Sequence, residues 1–154
     1  PLVGYEFVMD TAKITKQRGL KTVLVTNGMI ASKYWLRILP YIDAANIDLK
    51  AFTAEGYRAL GGDLETVKRV IAQSVGKIHL ELTTLIVPGF NDDEESMRAE
   101  TEWIAACSPD IPLHLSRFFP RHRMQRAIAT PPGTIDRLIR IARNHLNFVY
   151  AGNV

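Results

Sequence analysis

Two spacings of hydrophobic residues alternate along the chain. Residues 5–19 place apolar side chains three and four positions apart, which predicts an amphipathic helix. Residues 22–26 follow as a short β-branched run, which predicts a strand buried on both faces. The same succession repeats to the end of the chain. Further strands are predicted at 44–50, 78–87, 112–116 and 148–150. Further helices are predicted behind caps or prolines at Ser32, Thr53, Asp63, Asn91 or Asp92, and Pro131.

This alternation of strands and helices indicates an α/β fold with a parallel sheet. A closed (β/α)₈ barrel needs about 200–250 residues, whereas the chain has 154. The first predicted element is a helix, so a preceding strand is expected to be missing. We therefore expect a single domain over 1–154 that forms an open sheet or part of a barrel.

Composition and charge narrow the function classes. Hydrophobic residues make up 47% of the chain and charged residues 23%, as in ordinary globular proteins. No apolar run approaches the ~20 residues of a membrane span, so a cytoplasmic protein without a membrane partner is expected. The net charge of +3 is too small to indicate nucleic acid. Between residues 117 and 146 the chain has seven arginines and one acidic residue, Asp136. These arginines either hold an anion or form a solvated face.

Cysteine content bears on metal binding. Cys107 is the one cysteine in the sequence, so it cannot form an internal disulfide or build a zinc or iron–sulfur site alone. Any cysteine-ligated metal must therefore be held from outside this chain, and no metal ligand is assigned within it.

Polar residues gather where the predicted strands end, which is where parallel α/β folds bind ligands. The candidates for binding are Asn27, Asp48, Lys50, Thr83 and His114. Asp48 and Lys50 share one face of their strand, because side chains alternate with period two. Structural roles compete with binding: Asn27 suits a turn, Asp48 and Lys50 suit an ion pair, and His114 suits a hydrogen-bonded core position.

Five blocks of the sequence, in this order, resemble a known enzyme family. They read DTAKITKQRGLKTVLVTNG, YIDAANIDLKAF, LELTTLIVPGFNDDEE, PLHLSRFFP and YAGNV. They resemble consecutive segments of radical S-adenosylmethionine enzymes of the AmmeMemoRadiSam type, which are relatives of the pyruvate formate-lyase activating enzymes. The resemblance implies a partial (β/α)₆ barrel of the TIM type, of which this chain is the C-terminal part.

The same resemblance implies an activity and two cofactors. In this family a [4Fe–4S] cluster on three cysteines cleaves S-adenosylmethionine reductively to a 5′-deoxyadenosyl radical, which modifies a protein or small-molecule substrate. The cluster loop is expected upstream and a short tail downstream, so the chain is expected to be truncated at both ends and inactive alone.

The resemblance also implies roles for the candidate residues. Asn27 resembles a strand-exit residue near the cofactor, and Asp48 and Lys50 resemble ribose and carboxylate contacts. Thr83 stands where some relatives have an arginine near the methionine part, and His114 resembles a residue near the ribose or adenine. Catalytic residues beyond this cofactor pocket are not assigned.

Two other functions stay open on the sequence. One is a stand-alone α/β binding module for an anionic small molecule, which would use the arginines of the 117–143 region. The other is a barrel aldolase with Lys50 as a Schiff-base amine, which would require desolvation of that lysine.

Overall fold

The computed structural model describes residues 2–153, and within them strands and helices alternate as the sequence predicts. The strands are β1 Val23–Thr26, β2 Ala44–Asp48, β3 His79–Ile86, β4 Leu113–Arg117 and β5 Val149–Gly152. The helices are α1 Tyr5–Gln17, α2 Ser32–Ile38, α3 Ala54–Ala59, α4 Leu64–Ser74, α5 Glu94–Cys107 and α6 Pro132–Ala142. Short 3₁₀ turns occupy Leu2–Gly4, Leu39–Tyr41 and His122–Met124.

Across residues 2–153 the strands form one five-stranded parallel sheet in the order β1-β2-β3-β4-β5. Each strand pairs with the next one in sequence. Crossovers between parallel strands are right-handed as a rule, and successive ones in one direction place the connecting helices on the same face of the sheet. The expected fold class is thereby confirmed: the sheet is the α/β arrangement of a partial barrel.

The core lies between the sheet and its helices. Ile47, Leu82 and Leu115 point from the central strands into this layer and are fully buried. Trp35 of α2 is buried there as well, and its indole Nε1 donates to Ser74 Oγ at 3.1 Å. Within residues 2–153 no helix layer covers the opposite sheet face, where alternate strand side chains are half-buried or exposed. Val25 on β1 is 63% exposed there, so the prediction that this strand is buried on both faces is wrong. We call this opposite side the uncovered face.

Two of the predicted helix caps are confirmed. The side chain of Thr53 accepts a hydrogen bond from Gly56 N, and that of Asp63 accepts one from Thr66 N. Both residues have extended backbone angles, which leaves the side-chain oxygen facing the first free N–H groups of the helix.

Two other predicted caps are wrong. Ser32 is the first residue inside α2, and its Oγ accepts a hydrogen bond from Gln73 Nε2 of α4 instead. The cap of α5 is Asp93, one or two residues later than predicted, because Asn91 is used to hold the preceding loop. In both cases a contact distant in sequence takes the side chain that the local pattern assigned to a cap.

No helix within residues 2–153 combines the length and the apolar character needed to cross a membrane.

Candidate functional site

The uncovered face carries a row of polar side chains at one level of the sheet. Asp48 is the register partner of Thr83, Thr83 of His114, and His114 of Tyr150. Neighbouring strands lie about 4.8 Å apart, so Asp48 and His114 are separated by roughly 10 Å along this row. Three of the predicted site residues therefore share one face.

Asp48 and Lys50 form an ion pair where β2 ends. Lys50 Nζ lies 2.8 Å from Asp48 Oδ2, and the two side chains remain 43% and 33% exposed respectively. The backbone N–H of Lys50 donates to Tyr57 Oη at 3.1 Å, which fixes the chain just beyond the strand. The pair is thus held in place and accessible to a ligand.

Asn27 ends β1 in a tight turn. Its Oδ1 accepts a hydrogen bond from Met29 N at 3.2 Å. Gly28 has φ +67°, and a Cβ at this position would lie 3.1 Å from Ile47 Cγ2, so the turn requires glycine for two reasons. Asn27 therefore has the local role expected of a turn residue, and it also lines a cleft of about 450 Å³ with Asp48 and Lys50.

Thr83 and His114 lie outside this cleft and have partners of their own. Thr83 Oγ1 donates to Asn46 Oδ1 at 2.9 Å. His114 Nε2 lies 2.9 Å from Glu81 Oε2, and its ring stacks on that of Tyr150 with centroids 5.4 Å apart. The structure thus brings Asn27, Asp48 and Lys50 into one cleft and places Thr83 and His114 beside it.

Glu81 is a functional candidate that the sequence analysis missed. Its carboxylate also contacts His79 Nε2 at 2.9 Å, and hydrogen bonds from His79 and then His114 lower the pKa of Glu81. Asn46 and Tyr150 were missed too. The signal was available: Glu81 stands two residues before Thr83, and Asn46 two before Asp48, so period two places each pair on one face.

Asn91 joins the exits of β2 and β3. Its Oδ1 accepts from Val87 N at 2.7 Å, while its Nδ2 donates to Lys50 O at 3.0 Å and to Leu85 O at 2.9 Å. A side chain that satisfies three backbone groups of two strand exits sets the position of Lys50 relative to β3.

Sequence comparisons find relatives among larger proteins. An uncharacterized protein of Methanocaldococcus jannaschii is 37% identical over 161 residues, which cover all of this chain and 46% of that protein. GTP 3′,8-cyclase of Peptoclostridium acidaminophilum is 35% identical over 61% of the chain and 31% of its own length. The isethionate sulfite-lyase activating enzyme of Desulfovibrio desulfuricans is 25% identical over 80% of the chain and 40% of its length. No family model matches the chain.

A domain of pyruvate-formate lyase-activating enzyme from Bacteroides vulgatus has the same fold. It superposes with a TM-score of 0.83, covering 99% of this chain and 94% of that domain at 18% identity. This chain is a relative of the radical S-adenosylmethionine activating enzymes. The resemblance inferred from the five sequence blocks is confirmed to that extent. The chain spans between about a third and a half of the length of these curated proteins.

Proposed function

We propose that this chain supplies part of the S-adenosylmethionine-binding surface of a radical S-adenosylmethionine enzyme. The observation that carries the proposal is the row of Asp48, Thr83 and His114 on the uncovered face, with Lys50 and Asn27 at its β1 side. The relatives support the proposal through their shared family and fold.

The Asp48–Lys50 pair matches the two polar ends of the ligand. A carboxylate acceptor suits the paired hydroxyls of a ribose, and Lys50 suits the carboxylate of the methionine part. Because both side chains are partly exposed, each can exchange some of its interaction with the other for a ligand contact at little desolvation cost.

His114 is held in one orientation from two sides. Glu81 contacts its Nε2 and the Tyr150 ring stacks on its face. When Nε2 donates to Glu81, Nδ1 of the neutral ring is an acceptor. We assign this nitrogen to a hydrogen bond with the adenosine part, with Thr83 as its neighbour in the row.

The [4Fe–4S] cluster implied by the family does not fit the described residues. No group of three metal-ligating side chains converges within residues 2–153. Cys107 ends α5, where burial raises the pKa of its thiol. We assign reductive cleavage of S-adenosylmethionine to the longer protein, with cluster ligands outside this chain, and cofactor binding alone to the residues described.

The aldolase alternative is disfavoured by the surroundings of Lys50. A Schiff-base lysine reacts as a neutral amine and is usually activated by desolvation or a neighbouring cation. Lys50 is instead partly exposed and paired with a carboxylate at 2.8 Å.

Calorimetric titration of this chain with S-adenosylmethionine tests the proposal. Removing the negative charge in Asp48→Asn should weaken binding by about 1.5–3 kcal/mol, roughly ten- to a hundred-fold, because a charge-assisted hydrogen bond is lost. The fold should persist, since Asp48 is partly exposed.

The matched control is Asp43→Asn. Asp43 precedes β2 at the opposite edge of the sheet, where its Oδ2 accepts from Thr22 N at 2.8 Å. This variant should bind S-adenosylmethionine as the parent does. Equal affinity of Asp48→Asn and the parent, or absence of binding by the parent at millimolar ligand, would contradict the proposal.

A further inference from the structure

Three hollows adjoin one another along the edge where the strands end. The first is the cleft of Asn27, Asp48 and Lys50. Lys50 also lines the second, an apolar groove of about 290 Å³, and Leu85 lines both this groove and a third hollow of about 630 Å³. The cofactor cleft proposed above therefore shares Lys50 with the apolar groove, and the groove shares Leu85 with the third hollow.

The apolar groove is lined almost entirely by hydrocarbon. Besides Lys50, its walls are hydrophobic side chains and a proline from the end of α3, from β3 and the loop after it, and from the segment after β4: Leu60, Leu85, Val87, Pro88, Phe90 and Met124. Such a surface suits an aromatic or branched aliphatic group.

The third hollow, which we call the arginine cleft, is lined by positively charged side chains as well as apolar ones. Arg117 and Arg121 line it together with Leu85, Phe118, Phe119 and Asn153. No acidic residue occurs in the sequence from 117 to 135. Within the described residues, Arg117 forms no ion pair with a carboxylate, although its side chain is half-buried. A half-buried guanidinium without a carboxylate partner favours an external anion.

The guanidinium of Arg117 is oriented by its surroundings. Its Nε donates to Thr130 O at 2.8 Å, and its Cζ lies 4.9 Å from the centre of the Phe119 ring. These contacts use one of the five N–H groups and leave the two terminal nitrogens for a carboxylate or phosphate.

Thr130 holds the loop that follows Arg117 against β3. It is fully buried, its Oγ1 donates to Ile86 O at 2.5 Å and accepts from Phe118 N at 3.0 Å, and its own N–H donates to Phe118 O. The loop that begins after Arg117 is thereby tied at its far end to β3. Pre-organisation of this kind lowers the entropic cost of binding a ligand.

We infer that the arginine cleft binds the carboxylate or phosphate of a substrate whose apolar body lies in the neighbouring groove. Arg117 holds the oxoanion through its terminal nitrogens, and Arg121 adds a second positive charge. The assignment of this ligand as the substrate rests on the proposed function, because only then does the first cleft hold the cofactor beside it. Binding of an anion at Arg117 and Arg121 does not rest on the proposed function.

Nuclear magnetic resonance titration of this chain tests the inference. The probes are phenyl phosphate, phenylacetate and inorganic phosphate, and the signals of the Arg117 terminal N–H groups report contact with the anion. Phenyl phosphate or phenylacetate should bind at least fivefold more tightly than inorganic phosphate, and the tighter of the two aromatic anions identifies the oxoanion. Equal affinity for all three would overturn the inference.

Three variants distinguish a defined anion-binding site from general attraction of anions to positive charge. Arg117→Gln should weaken phenyl phosphate binding at least tenfold, and Arg117→Lys, which keeps the charge without the planar fork, should fall between it and the parent. Arg140→Gln removes the same charge from an exposed position on α6 and should leave binding unchanged. A loss in Arg140→Gln as large as in Arg117→Gln, or parental affinity in a folded Arg117→Gln, would overturn the inference.

The proposals for the cofactor cleft and for the arginine cleft can be contradicted independently of each other. Asp48→Asn should keep phenyl phosphate affinity, and Arg117→Gln should keep S-adenosylmethionine affinity. Loss of S-adenosylmethionine binding in Arg117→Gln would assign Arg117 to the cofactor and overturn the substrate subsite, while the cofactor proposal would stand.

Discussion

Glu100 is a carboxyl group buried in the helix layer behind β3. Only 3% of the residue is exposed, and burial raises the pKa of Glu100 to about 8. Thr84 Oγ1 is its hydrogen-bond partner at 2.5 Å. A buried acid with one polar partner and no cation is most stable as the neutral carboxyl group, so Glu100 holds a proton under neutral conditions.

This burial predicts a pH dependence of stability. The folded state keeps the Glu100 proton up to about pH 8, whereas the unfolded chain releases it near the ordinary pKa of 4.5. The unfolded state therefore binds fewer protons between these values, and the contribution of Glu100 to stability falls as pH rises, by at most about 1.4 kcal/mol per pH unit.

Urea unfolding of the parent and of Glu100→Gln at several pH values measures this effect. The difference in unfolding free energy between the two proteins should shift in favour of Glu100→Gln as pH rises from about 5 to 8. Glu95→Gln, a substitution at an exposed position on the same helix, should show the same pH dependence of the unfolding free energy as the parent. A difference independent of pH would show that Glu100 ionises in the folded state as it does in the unfolded chain.

The connection from β3 to α5 carries two roles on residues two positions apart. Asp93 caps α5 through a hydrogen bond from Ser96 N, while Asn91 ties Lys50, Leu85 and Val87 together. Sequence patterns recognise the cap type but do not identify which of three neighbouring acidic or amide residues takes it. The side chain of Asn91 is bound to backbone groups at the exits of β2 and β3, so the cap is Asp93.

Asn91→Ala should therefore cost more stability than loss of the cap. It leaves a backbone N–H and two carbonyls without their side-chain partner, so we expect a loss of about 2–3 kcal/mol in the unfolding free energy. Asp93→Ala should cost about 1 kcal/mol, the usual effect of removing an N-cap. Chemical denaturation compares the two, and equal losses would contradict the assigned role of Asn91.

The whole molecule presents an apolar edge on its uncovered face. β1 is an edge strand of the described sheet, and Val23 and Val25 are 64% and 63% exposed on it. Unpaired backbone groups next to exposed β-branched side chains favour association with another strand.

Self-association of this chain should depend on that edge. We expect the parent to associate reversibly in sedimentation equilibrium at high concentration. Val25→Lys should shift the distribution toward monomer, because a charged residue on an edge strand opposes pairing. Ile14→Lys introduces the same charge at an exposed apolar position on α1 and should leave association unchanged. A monomeric parent, or an equal shift in both variants, would contradict this expectation.

The sequence by itself determined the elements and their order, although it did not show that one face of β1 is exposed at Val23 and Val25. Helical and strand periodicities, and caps such as Thr53 and Asp63, depend on residues within a few positions of one another, which is why they can be read locally. The same alternation placed Asp48 and Lys50 together at the end of β2. The family resemblance added the expected cofactor, and the roles of the five candidate residues stay predictions.

Only the tertiary structure decided which side chains meet across strands and loops. Glu81 meets His114 and Asn46 meets Thr83 over separations of 33 and 37 residues, and Asn91 reaches Lys50 over 41. A local pattern specifies the face of a strand but not its register against the next strand. Register is set by the packing of the whole helix layer on the sheet, where a shift of one residue would turn every buried side chain outward.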